Sequence, residues 1–236
     1  RGIQYRLKDP GVAETRDEHV ESWVASIDGG LTFERSSEFL GRSFTQTLEP
    51  RAHYLYSSHD DHSGIPDFDS AELTFSYRQL FRNTRFSGHD RLADANQLAL
   101  GLTSRLIDPK TGLERVSLSV GQIFNFTDQR IRLKEGDSAL TEDGSALALA
   151  LDMTASERWS VHSNLLLDAY DKRLDAANIR VSYQPTDSAV FNIGYTLREP
   201  PESLATRPVT EQFNTSAYIP LDENWRIFGA LRYSLE

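Results

Sequence analysis

Along most of this chain apolar residues occupy every second position, so that one parity of residue numbers stands against the other in run after run. A strand sends successive side chains to opposite faces, so each run predicts a strand with one apolar and one polar face. In 19–34 one face reads Trp23, Ala25, Ile27, Gly29, Leu31 and Phe33, and the other reads Val24, Ser26, Asp28, Gly30, Thr32 and Glu34. In 42–56, Phe44, Leu48, Ala52, Tyr54 and Tyr56 oppose Thr45, Thr47, Glu49, Arg51 and His53. Pro50 lies inside this run without a ladder donor, which predicts a bulge or kink. The alternation continues through 98–106, 116–126, 147–153, 159–167, 179–183, 191–197, 213–219 and 225–233.

About ten strands of roughly 8 to 16 residues result, long enough to cross a bilayer core when tilted, whereas soluble strands usually run about five or six. Short turns, "DPKTG", "TASER", "QPTDS" and "PLDEN", alternate with long polar excursions at 8–18, 57–95, 127–144 and 199–210. Loops trimmed at one end and elaborated at the other are the habit of outer-membrane barrels. A full crossing at 71–78 would exchange the two ends, so 57–95 is read as one large extracellular loop, with room for a short helix or hairpin of its own. Trp159 and Trp225 each follow a short turn and Trp23 begins a strand on the long-loop side, which fits two interfacial aromatic girdles. The fold expected is an all-β, transmembrane antiparallel up-and-down β-barrel section. Leucines face lipid, small and polar residues face a lumen, and glycines such as Gly29, Gly101, Gly121, Gly194 and Gly229 ease strand curvature.

Composition narrows the partners. The 236 residues carry 25 Lys+Arg against 35 Asp+Glu, a net charge of -10, which argues against nucleic acid as a partner. No cysteine occurs, which removes disulfides, thiolate chemistry and Cys-type zinc sites within this chain. No apolar run approaches the roughly 18 residues of a transmembrane helix. The chain opens on "RGIQYRLKDP", without methionine or signal peptide, and reads as a mature or cut piece.

The stretches "TQTLEPRAHYLY" (45–56), "IPDFDSAELTFSYRQLFRNTRFSGHDRLADANQLALGLTSRL" (65–106) and "GLERVSLSVGQIFNF" (112–126) resemble the barrel of the LptD family of LPS-assembly outer-membrane proteins. The resemblance covers nearly all of the chain, yet only a middle part of a family protein. It implies that the periplasmic domain, the first barrel strands and the last strands with their cysteine pair lie elsewhere. It implies transport without chemistry and without a cofactor: lipopolysaccharide passes through the barrel, plugged by the lipoprotein LptE, into the outer leaflet of a Gram-negative outer membrane. Expected partners are therefore LptE, lipopolysaccharide, the remaining barrel strands and periplasmic domain, and outer-membrane lipids. A small outer-membrane barrel enzyme, lipase or protease, would need a convergent nucleophile or acid set. A soluble β-sandwich binding module would expose too many apolar side chains on one sheet face.

Several clusters invite a sharper reading. "SSHDDHSG" gathers His59, Asp60, Asp61 and His62 but has no second set of ligands, so a solvated loop tip is the better reading. No G-x-S-x-G, P-loop or H-E-x-x-H occurs, so catalytic and metal-site residues are not assigned. "RQLFRNTRFSGHDR" carries Arg78, Arg82, Arg85 and Arg91 with Phe81 and Phe86 between them, a local cation excess able to meet LPS phosphates. The plainer alternative ties these arginines to Asp90, Asp94 and backbone carbonyls around a small phenylalanine core. Arg105, Arg115, Asn125, His162, Asn164 and Asp168 fall on the lumen parity as candidates to touch LptE or passing LPS, although such residues line any wide polar barrel.

Overall fold

The computed structural model describes residues 2–8, 15–62, 65, 68–133, 139, 141, 143–168, 172–199 and 209–235. Period-2 alternation builds strands almost throughout: β1 (Gly2–Lys8), β2 (Thr15–Glu21), β3 (Val24–Gly30), β4 (Phe33–Phe39), β5 (Arg42–Ser57), β6 (Ala71–Glu72), β7 (Phe86–Ser87), β8 (Ala95–Ile107) and β9 (Glu114–Asn125). They are followed by β10 (Leu147–Thr154), β11 (Trp159–Leu167), β12 (Leu174–Thr186), β13 (Ala189–Arg198), β14 (Thr210–Pro220) and β15 (Arg226–Ser234). The main sheet runs β15-β14-β13-β12-β11-β10-β9-β8-β5-β3, with β4 also on β5. Neighbours in this sheet are neighbours in sequence apart from the 58–94 excursion and from β3, which lies on β5 together with β4. The chain divides into two compact units, residues 1–29, 52–100 and 123–145 in one and 30–51, 101–122 and 146–236 in the other.

In the second unit the usual sense of burial is inverted. On β8 and β9, Leu102 is 38% exposed and Leu118 53%, while Thr103, Ser117 and Ser119 on the opposite parity are only 5%, 8% and 7% exposed. Water would reverse this assignment, because large aliphatic side chains gain most from leaving it. The pattern fits a sheet whose apolar face meets hydrocarbon and whose small polar residues point the other way. Those polar residues bond among themselves, as where the Thr103 and Ser119 hydroxyls meet at 2.9 Å.

Pro50 acts on its neighbour rather than on its own strand. β5 runs unbroken through it for 16 residues, and the interruption falls at Leu31 and Thr32, between β3 and β4. The Leu31 N–H still donates to the Pro50 carbonyl at 3.0 Å. Proline has no N–H to return, so the ladder loses one bond there and the partner strand parts.

In the first unit β1 and β2 form a separate hairpin, registered from Gly2↔Glu21 to Lys8↔Thr15. The polar excursion expected at 8–18 is therefore shorter, because a hairpin ladder needs only backbone groups and forms where no apolar face announces it. The remainder of that connection, 9–14, lies outside the described residues, as do 200–208 of the connection expected at 199–210. The segment from Ser57 to Ala95 carries a 3₁₀ helix (Tyr77–Gln79) and the two-residue ladder of β6 on β7. Phe86, Ala93 and Ile131 form a small buried core with Leu133 packed against it. Phe81 meets Tyr77 edge-on at 5.6 Å.

Candidate functional site

Three acidic residues organise the long segment by accepting backbone N–H groups. The Glu21 N–H donates to Asp60 Oδ2 at 2.8 Å and the Asp61 N–H to Asp60 Oδ1 at 2.9 Å. These two donors hold the Asp60 carboxyl below its ordinary range. Asp90 accepts from Phe68 and Asp69, at 2.8 and 2.5 Å. Asp94 accepts from Arg130 at 2.7 Å and from Ile131 at 3.1 Å. Burial would raise the Asp94 carboxyl, but those two N–H groups and the Arg85 guanidinium outweigh it and leave it below the ordinary value.

The "SSHDDHSG" stretch is part of this scaffold. His62 Nδ1 donates to the Asp60 carbonyl at 2.9 Å while its Nε2 accepts the Leu92 N–H at 3.1 Å, a pairing that only the neutral Nδ1–H tautomer can make. Burial, reinforced by the charge of Arg91, pushes this imidazole below its ordinary value. Among the described residues no group of three or more His, Cys, Asp or Glu is placed to hold a metal.

The four loop arginines separate into two kinds. Arg85 is buried in an ion pair with Asp94 at 3.0 Å, donates to the carbonyls of Asp94 and Ile131, and lies 4.8 Å from the centre of the Phe86 ring. Arg91, 7% exposed, donates to the carbonyl of Ile65 at 2.9 Å. Arg78 and Arg82 are exposed, on and just past the 3₁₀ helix. Gly88 closes the segment at φ +75, where any Cβ would run into the Asp69 carbonyl.

The six residues expected to face a lumen are spread over β8, β9, β11 and the turn after β11. Arg105 is bound on both sides, to Glu49 at 2.7 Å and to Glu114 at 3.0 Å. Arg115 stands 3.8 Å from Asp108. Asn125 accepts from Gln129 at 3.1 Å. Asp168 lies just beyond β11, its N–H donating to the Arg173 carbonyl at 2.8 Å. His162 pairs with Asp152 at 2.7 Å, directly across the β10–β11 ladder.

The register reveals an arrangement that residue types alone did not. On the polar parity of β10–β15, Asp152, His162, Arg180, Gly194, Asn214 and Arg232 stand opposite one another in a single transverse row. Next to it toward the long loops runs a row of Asn164, Asn178, Thr196, Gln212 and Ser234, and toward the short turns a row of Ser160, Ser182, Asn192, Ser216 and Ala230. Amide and hydroxyl groups link across strands within these rows, as in Ser182 to Asn192 at 2.7 Å and Asn192 to Ser216 at 3.1 Å. Gly194 keeps the middle row open, since a Cβ there would meet Asn214 Oδ1 at 2.5 Å. Counting outward from the short turns gives the β10–β11 and β14–β15 registers, but at β12–β13 a bulge between Tyr183 and Thr186 shifts the ladder by one residue, so the row cannot be counted from the sequence there.

Trp159 stacks on Tyr183 at 4.4 Å, and Tyr183 lies 6.4 Å from Phe191, an aromatic band at the short-turn end. Trp225, 69% exposed, also sits beside a short turn, and Trp23, 79% exposed, accepts from the Ser58 N–H where the long segment begins.

Comparison with known proteins adds identity to this geometry. The family described as "LptD: LPS transport system D" matches residues 13–225. The chain is 36% identical over 235 residues to the LPS-assembly protein LptD of Nitrosomonas eutropha, a match covering 99% of this chain and 31% of that protein. It is also 36% identical over 231 residues to LptD of Nitrosococcus oceani, covering 97% of this chain and 30% of the relative. A third relative, LptD of Alcanivorax borkumensis, is 36% identical over 233 residues, with 99% and 30% covered. The chain thus spans about a third of the length of the curated relatives it matches.

Proposed function

The chain belongs to the LptD family, and on that premise we propose that it forms a section of the outer-membrane β-barrel wall through which lipopolysaccharide reaches the outer leaflet of a Gram-negative cell. The observation that carries this reading is the inverted sheet, with exposed leucine, isoleucine and phenylalanine on one parity and buried serine and threonine on the other. Hydrocarbon is the solvent that satisfies both faces. The role is transport rather than catalysis. The remaining barrel strands and periplasmic domain complete the protein, outer-membrane lipids cover the apolar parity, and LptE is the partner within the lumen.

On this reading the segment 57–95 is extracellular, and Trp23, Trp159 and Trp225 sit at the two bilayer interfaces. Their exposure beside strand ends supports that placement. Arg78 and Arg82 are the residues of the loop that meet LPS phosphates, while Arg85 and Arg91 are committed to holding the loop's shape. The lumen candidates act at separate levels, with Arg105 and Arg115 near the short turns and Asn125 and Asp168 near the long loops.

The test uses the full-length protein in cells that depend on it. Depletion should stop newly made LPS from reaching the surface, counted by antibody on intact cells, and continued delivery would refute the reading. Replacing Arg78 and Arg82 together by alanine should slow that delivery while leaving the protein assembled. Unchanged delivery would remove both arginines from the pathway.

A further inference from the structure

We propose that the polar face of β11–β15 holds a binding site for the phosphorylated sugar portion of LPS, with Arg180 and Arg232 gripping phosphate and the amide and hydroxyl rows on either side bonding the saccharide. The inference rests on the proposed function and adds to it the residues and the chemical part of the substrate they recognise.

The row register is the first support. Arg180 opposes Gly194, Gly194 opposes Asn214 and Asn214 opposes Arg232, so the two guanidiniums stand three strands apart at one level. Three inter-strand spacings of about 4.8 Å separate their Cα atoms by about 14 Å. Both arginines are exposed, and among the described residues neither has a carboxylate partner. The third basic group of the row, His162, is already held by Asp152. Arg180 and Arg232 share one parity of the ladder, so both lie on the polar face of the sheet. Guanidinium is the side chain best matched to phosphate, through two parallel N–H bonds.

The flanking rows decide between a sugar and a protein occupant. Asn164, Asn178, Thr196, Gln212, Ser182, Asn192 and Ser216 offer alternating donors and acceptors, which suit a polyhydroxylated ring. Apart from the His162 imidazole, which is paired with Asp152, the three rows contain no aliphatic or aromatic side chain larger than Ala230, whereas protein interfaces anchor on buried aromatic and aliphatic groups. The structure thus favours a phosphorylated oligosaccharide over a segment of a protein plug.

A photo-crosslinking residue placed at Asn178 or at Asn192 of the full-length protein in growing cells tests the site. LPS adducts are expected at both positions, and the double variant R180A/R232A should reduce them about ten-fold or more. R180K/R232K, which keeps the charge but loses the fork, should retain part of the signal. Adducts undiminished in R180A/R232A, or adducts formed with protein instead of LPS, would overturn the site. If the double variant does not assemble, calorimetry on the wild-type protein decides, with lipid-free core oligosaccharide as the probe. The phosphorylated form should bind at least ten-fold more tightly than the same oligosaccharide after dephosphorylation, and equal binding overturns the site. Surface delivery of LPS that depends on the protein, without adducts at Asn178 or Asn192, defeats this inference alone; delivery that does not depend on it defeats the proposed function.

Discussion

Leu118→Arg separates hydrocarbon from water as the medium facing the apolar parity. Leu118 is 53% exposed, and arginine at such a position on a soluble protein changes stability by only about 0.5 kcal/mol. A bilayer gives another answer, and its size follows from the register. Leu118 opposes Leu151, and Leu151 opposes Ser163, which stands four residues along β11 from Trp159. With Trp159 at the interface, four residues span about 14 Å of strand, or about 10 Å of depth at a tilt of about 40°. That is close to the middle of an apolar band about 25 Å tall, where arginine costs about 2–4 kcal/mol. Ile193 lies one row nearer the interface, through Val161↔Val181 and Val181↔Ile193, so Ile193→Arg should cost about half as much. Asn178→Arg, on the opposite parity, should change stability by about 0.5 kcal/mol or less. Folding equilibria of the full-length protein in lipid bilayers, followed by the heat-modifiable band under urea, measure all three. A change for Leu118→Arg no larger than that for Asn178→Arg would refute the lipid-facing assignment.

The long segment supplies other tests. Asp94→Ala leaves two buried N–H groups without their acceptor and Arg85 with carbonyl partners but no counter-charge, and removing one member of a buried ion pair costs about 3–5 kcal/mol. Hydrogen exchange at Arg130 and Ile131 should accelerate accordingly, while the amides of β12 and β13 keep their protection. Acidification should open the segment in two stages. His62 and Asp94 both have folded pKa values below their unfolded ones, so the stability each contributes is complete above its unfolded value. It is lost as pH falls through the folded value, His62 first from about pH 6.5 downward and Asp94 below about pH 4. Proteolysis within 57–95 across that range, compared with His62→Gln, reports the first stage. Gly88→Ala forces a side chain into a left-handed conformation against the Asp69 carbonyl, so the same proteolysis should quicken at neutral pH. Trp159→Ala removes the stack on Tyr183, worth about 0.5–1.5 kcal/mol beyond its area, and should lower the temperature at which the heat-modifiable band converts.

Much of the fold was legible because a lipid-facing strand writes its two faces into alternate residues. Leu118 and Ser119, or Ile193 and Asn192, already announce opposite surroundings. Less could be read where backbone alone makes the structure, as in the β1–β2 hairpin, or where a residue acts through its neighbour, as Pro50 does on Leu31. The site was harder still. Four arginines close together in sequence suggest one patch, but Arg85 and Arg91 turn inward because their acceptors, Ile131 and Ile65, lie 46 and 26 residues away. Conversely, Arg180 and Arg232 are far apart in sequence, and only the ladder register sets them in one row.

The acid-tied segment has a consequence for the order of assembly. From β8 to β15 each strand pairs with the next in sequence, so hairpins can form and zip together with little loop-closure entropy to overcome at any step. The ties of the long segment are of another kind: Asp60 reaches back 39 residues to Glu21, and Asp94 reaches forward 37 to Ile131. Such closures gain nothing until both ends have been delivered by strands already in place. The segment is therefore a late reporter of folding, and its protection from protease marks chains in which β2, β5, β8 and β9 have finished pairing.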